Sequence, residues 1–548
     1  MDNRTRNGIA IAVVVIASGM VAFQARQRGG APADAGTAGA PAVPLFTNLG
    51  SYHRPINTGV EEAQRYFDQG LRLTYAFNHA EAITAFEAAL ALDPQCAMCS
   101  WGIAYAYGPN INAPMDSASG VLAYEAARHA QSLAANAAPV ERALIEAVSQ
   151  RYAAVPPVDR ASLDAAYATA MGEARSRFPD DLDVLTLHAE AVMDLRPWDY
   201  WTKAGEPRAG TGELLADLER VLATNPEHPG ACHYYIHAVE AAQPERAVAC
   251  AERLASLMPG AGHLVHMPAH IYIRVGRWAD AITTNEHAVH SDETYIADRG
   301  PAGVYPIAYY PHNYHFLSFA STMAGRTQPA IDAARSLVAN VSVDVARQVP
   351  PIEPLLPYLH LTLVTFGRWD DVLSEPVPPS DLRYATAMTQ YARGVAHAAK
   401  GDAESARAAI DTVRSIQSAT ADPLNARVLD IAAHALMGEV AFRAGDLAGA
   451  EAHFRQAMAI EDELLYIEPP HWYYPIRHSL GAVLMQNGQA AAAEQVYRED
   501  LRRFPENTWS LHGLAGSLRV QGRTADADAV AARLVPLGGD VQLTASRF

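Results

Sequence analysis

GLRLTYAFNHAEAITAFEAALALDP, running from Gly70 to Pro94, is the stretch that decides the fold. Within it Gly70, Ala82, Phe86, Ala89 and Pro94 are separated by gaps of 12, 4, 3 and 5 residues. The same gaps recur at Gly438, Ala450, Phe454 and Ala457, and again at Gly481, Ala493, Tyr497, Asp500 and Pro505. The spacing describes a helical hairpin. Small residues in the glycine and first alanine columns let two antiparallel helices approach closely. An aromatic side chain one turn later fills the gap to the next hairpin, and proline ends the second helix.

Weaker copies extend the pattern outward. Ala247 with Pro259, Ala281 with Ala288, then Ala330, Ala406 and Ala527 fit the small-residue column. Turns at Gly276-Arg277-Trp278, Gly367-Arg368-Trp369, Gly401-Asp402, Gly445-Asp446 and Gly488-Gln489 mark the ends of first helices. This spacing and residue choice resemble the tetratricopeptide repeat (TPR) family, whose unit is about 34 residues. The resemblance covers most of residues 60 to 540, strongest at both ends. It implies an all-α fold, a superhelical array of TPR-like hairpins forming an α-solenoid. It also implies partner binding, although fold by itself does not establish function.

A chain of 548 residues is too long for one ordinary core, which suits an elongated array. The net charge of -18 argues against a nucleic-acid partner, because phosphate backbones are met by clustered Lys and Arg. Arg4 and Arg6 precede an uncharged run from Gly8 to Phe23, after which Arg26 and Arg28 follow. Residues 1–28 therefore read as a signal peptide or an N-terminal membrane anchor. Residues 29–58 read as a flexible linker, 59–345 as an N-terminal array with a His-rich groove and loop insertions, and 346–548 as a C-terminal array. Export to the periplasm or another extracytoplasmic space follows from this reading, with inner-membrane anchorage if the segment is retained.

The chain holds four cysteines, Cys96, Cys99, Cys232 and Cys250. Three pairings satisfy them. Cys232 and Cys250 lie symmetrically about residue 241, where a hairpin should turn, which favours Cys232–Cys250 among the pairings, with reduced, buried thiols an equal alternative. Cys96-x-x-Cys99 is followed by Ser100, so it is not a haem-attachment motif.

Ten of the 21 histidines fall between His228 and His315, where an even spread would place three or four. His233 and His237 are four apart. His263, His266 and His270 are separated by three and four, on one predicted helical face, and His312 and His315 are three apart. Imidazoles at these spacings project side by side, as two ligands of one metal ion must. His266 and His315 each lie 15 residues before a column alanine, and His263 and His312 each lie 18 before the same alanines. In the repeat family such first helices line the concave surface, so the resemblance directs these residues into a groove.

The expected metal ligands are His233, His237, His263, His266, His270, His312 and His315, holding copper, zinc or iron. Loop insertions carry Asn110, Asn112, Arg196, Trp198 and Asp199, a polar and aromatic set suited to a small ligand. Glu240, Tyr310 and Asn313 complete the expected ligand-binding set. No H-E-x-x-H, phosphate loop or dinucleotide fingerprint occurs. The reading is an extracytoplasmic TPR-repeat protein whose concave groove binds a transition metal. If that site is catalytic, the chemistry is a metal-dependent oxidation or hydrolysis of a small ligand. The alternative is a non-catalytic scaffold holding a peptide or protein partner at the membrane.

Overall fold

The structure is a computed structural model that describes residues 43–300 and 305–538. The anchor or signal expectation falls on residues outside that set. Among the described residues helices follow one another from Glu61–Tyr75 to Thr524–Ala532, with no strand. Two isolated bridges, Asn110 with Ala113 and Trp201 with Pro207, close loops. No helix of the described residues is long and apolar enough to cross a membrane.

The repeat logic is visible atom by atom. Helix Glu61–Tyr75 and helix His79–Leu92 form the first hairpin, and helix Ala97–Ala106 begins the next. The Phe86 ring is wedged between Gly70 and Gly102: a Cβ at either glycine would sit 2.6 or 2.5 Å from the ring. Tyr497 sits in the same way between Gly481 and Gly513, and Phe454 packs on Gly438. Ala82, Phe86, Ala450, Phe454, Ala493 and Tyr497 are all buried. Side-chain caps start several second helices, with Asp446 accepting from the Gly449 amide (2.9 Å) and Asp402 from the Ser405 amide (3.1 Å). Between the helices of a hairpin the chain must turn through a left-handed conformation. Gly445 and Gly488 supply it at φ of 80° and 72°.

The chain divides into two compact units. One comprises residues 43–271 and His287–Pro306, the other Tyr272–Glu286 and 307–538. Near residue 345 the chain runs within the second of these units. The proline-rich run there is ordered as the turn Pro350–Leu355, with Ile352 buried and Glu353 accepting from the Ala385 amide at 3.0 Å.

The cysteines differ from expectation. The disulfide joins Cys96 to Cys99 at the start of helix Ala97–Ala106, while Cys232 and Cys250 are buried free thiols. Those two do face each other, as the hairpin symmetry requires. The Cys250 thiol and burial push the Cys232 thiol up, keeping it protonated, and thiol–disulfide exchange needs a thiolate.

Because Gly513 has no room beside Tyr497 whereas Gly516 in the same helix has open space, the two should respond oppositely to alanine. Gly513→Ala is expected to cost about 1–3 kcal/mol by overpacking. Gly516→Ala should stabilise by about 0.5–1 kcal/mol through helix propensity. Thermal denaturation of the two variants checks this; equal shifts would contradict the wedge.

Candidate metal centre

Five of the seven expected ligands come together within the unit of residues 43–271. Helix Pro229–Val239 carries His233 and His237, and Glu240 caps its end. His263 and His266 lie on the short helix Gly262–His266, and His270 on helix Pro268–Arg274. The expected continuous helix is thus broken in two at Met267, since Pro268 has no amide hydrogen to donate. Met267 keeps right-handed dihedrals (φ -50°, ψ -36°), and its amide donates to the His263 carbonyl at 3.0 Å. The histidines therefore stay on one side of the chain. All five are at most 2% exposed, and Glu240 is fully buried.

The hydrogen bonds set the tautomers. His233 Nδ1 lies 2.7 Å from the Tyr75 carbonyl, which can only accept, so the proton is on Nδ1 and Nε2 offers a lone pair. Glu240 reaches His237 Nδ1 at 2.9 Å and His270 Nδ1 at 2.5 Å. Burial alone would push the Glu240 carboxyl up, but His270 and His237 beside it win and hold it down at about 2. As an acceptor-only carboxylate it fixes both rings with Nδ1–H toward itself and Nε2 away. The Nε2 atoms of His233 and His263 stand 3.2 Å apart, and those of His266 and His270 3.0 Å apart. His237 Nε2 is buried with no hydrogen-bond partner.

This donor set fits a metal ion. One nitrogen from each of His233, His237 and His263 can be chosen so that all three lie within 4.8 Å of one another. Imidazole nitrogens on a tetrahedral ion with bonds of about 2.0–2.1 Å are about 3.3 Å apart, close to the His233–His263 separation. His237, Glu240 and His270 form a second, overlapping group of the same kind. Burial pushes His233, His237 and His263 below the ordinary imidazole range, and neighbouring histidines lower His233 and His263 further. All three are consequently neutral, the form that binds metal.

Two aromatic side chains close over the cluster, and both adopt left-handed backbone conformations. Phe77 (φ 56°) lies with its ring centroid 4.5 Å from His233 and 5.6 Å from His263. Trp198 (φ 64°) presents a perpendicular ring 5.0 Å from His237 and donates its indole N–H to the Ile111 carbonyl at 3.0 Å. Left-handed aromatics are costly and persist where surrounding structure enforces them. Sequence reasoning missed Phe77, yet its signal was present. It lies seven residues after Gly70 and five before Ala82, the turn position that Gly445 and Gly488 occupy in their repeats.

Asn110, Arg196 and Asp199 lie in loops. Asn110 Oδ1 accepts from the amides of Asn112 and Ala113, both at 2.9 Å, so its acceptor serves its own turn. Asp199 pairs with Arg208 at 2.8 Å, and Arg196 is half-buried in the same loop. His312 and His315 belong to the other unit, on helix Tyr310–Met323, with ring centroids 6.5 Å apart. There His315 packs edge-on to Tyr358 (4.4 Å), and burial lowers it to about 3. Tyr310 and Asn313 share that helix, Asn313 fully buried.

No family model matches the chain, and no curated protein matches it. Among solved structures it is similar to the human IFIT1 dimer with PPP-AAAA, at 12% identity over 88% of this chain and 92% of that one, with a TM-score of 0.33. It is also similar to the APC/C hetero-tetramer Cut9-Hcn1, at 14% identity over 83% and 76%, with a TM-score of 0.31.

Histidines depressed in the folded state bind protons only on unfolding once the pH drops below about 6.5. Their stabilisation is therefore complete above that pH and lost as pH falls. The metal-free protein should lose up to about 1.4 kcal/mol per pH unit for each of His233, His237 and His263 below pH 6.5. Urea midpoints between pH 7.5 and 5 read this directly, and a flat profile would contradict neutral burial.

Proposed function

We propose that this protein binds a late first-row transition metal, namely copper, zinc or iron, through the buried histidine cluster. His233, His237 and His263 are the core ligands, and His266 and His270 adjoin them. The single observation that carries the reading is His237 Nε2: buried, deprotonated by the hold of Glu240 on the opposite nitrogen, and without a partner. Leaving such an atom unsatisfied costs about 1–3 kcal/mol, which coordination would recover. The Nε2–Nε2 approaches of 3.2 Å between His233 and His263 and 3.0 Å between His266 and His270 are those of imidazoles that share a proton or a cation.

The chemistry such an ion supplies is Lewis acidity or, for copper and iron, electron transfer. What this chain contributes is orientation and dryness. Glu240 fixes two rings from behind, the Tyr75 carbonyl fixes a third, and Phe77 and Trp198 keep water off the nitrogens. Outer partners of this kind raise ligand basicity, and their loss typically weakens metal binding by about 10–100-fold.

The test is elemental analysis of the untagged full chain after dialysis, beside His237→Ala and Glu240→Gln. Near-stoichiometric copper, zinc or iron is expected in the parent. The His237 variant should lose it, and the Glu240 variant should bind about 10–100-fold more weakly in competition with a chelator. Metal binding should also raise the unfolding temperature of the parent in a concentration-dependent way. A parent that stays metal-free after reconstitution would leave the hairpin array as a scaffold for a peptide or protein partner.

A further inference from the structure

We infer that a cavity of about 290 Å³ in the unit of residues 43–271 and His287–Pro306 binds a small organic cation, an amine or quaternary ammonium with an apolar portion. Three aromatic rings, Phe46, Tyr295 and Tyr305, line it. They meet edge to face, with centroids 6.4 Å apart for Phe46 and Tyr295 and 5.5 Å apart for Tyr295 and Tyr305. Ring faces carry the negative side of the aromatic quadrupole, to which a cation is attracted. Asn78, His290 and Asp298 add polar groups to the wall, and among the described residues no Lys or Arg lines it.

Charge decides the class of ligand. Asp298 is exposed at the cavity and forms no ion pair among the described residues, whereas the adjacent Arg299 is engaged with Glu81 at 2.9 Å. Aromatic rings and an exposed carboxylate, with no Lys or Arg among the described lining residues, favour a cation over an anion. It also abuts the histidine cluster. The Tyr305 hydroxyl accepts the His263 amide at 2.9 Å and donates to Asp292 at 2.9 Å, and the lining residues Ala76 and Asn78 flank Phe77. The site is nonetheless independent of the metal reading, because none of its lining residues is a proposed ligand.

The experiment is titration calorimetry on the full chain, with and without added metal, using choline and benzyltrimethylammonium against the neutral isostere 3,3-dimethyl-1-butanol. At least one cation is expected to bind more tightly than about 10 mM. The uncharged isostere should bind at least about fivefold more weakly than choline. Tyr295→Ala should weaken cation binding by about fivefold or more. Asp298→Asn, at an exposed side chain whose change leaves packing intact, should weaken it by about two- to threefold. Neither cation binding, or the isostere matching choline, overturns the proposal whatever the metal content proves to be.

Discussion

A ring held between two glycines is the constraint on which this architecture rests. Phe86 and Tyr497 each insert where two helices would otherwise touch, and each needs glycine on both sides. The contact joins a hairpin to its successor as well as the two helices within it. Each hairpin alone has an apolar face it cannot bury, so repetition of this wedge makes a core from units too small to have one. Ala82, Ala450 and Ala493, all fully buried, show the same demand for small side chains on the partnering helix.

The hairpin turn is the second fixed feature, and it links the scaffold to the site. Left-handed turns are given to glycine at Gly445 and Gly488, where nothing further is asked of the residue. At the equivalent place in the first repeat the chain accepts the strain of Phe77 and gains a ring over His233 and His263. Trp198 repeats the bargain over His237 from a loop insertion. Two aromatics in a conformation disfavoured for their kind, both against one cluster, mark that cluster as the place where local preference gives way to assembly.

Glu240 organises the cluster itself. One carboxylate receives Nδ1–H from two histidines on different helices and so couples their orientations. It is fully buried and would be costly to keep ionised without those two donors. The outcome is a group of imidazoles whose second nitrogens face one another in a space closed by aromatic rings. Nothing in the hairpin packing requires histidine at these places.

The gaps of 12, 4, 3 and 5 residues determined that the chain forms helical hairpins, because close helix contact depends on residue size at fixed intervals, which a sequence displays directly. Ligand-like spacing likewise brought His233 and His237, and His263, His266 and His270, to notice, since positions three or four apart share a helical face. Tertiary structure alone decided the rest. It put the disulfide at Cys96–Cys99 rather than Cys232–Cys250, broke the helix at Met267, turned Asn110 inward on its own loop and paired Asp199 with Arg208. It also brought Phe77 onto histidines more than 150 residues away, and set Glu240 between two rings. Periodicity records what a residue's own helix does with it; which distant atoms accept its proton or cover its ring depends on packing between helices, and no interval in the sequence encodes that.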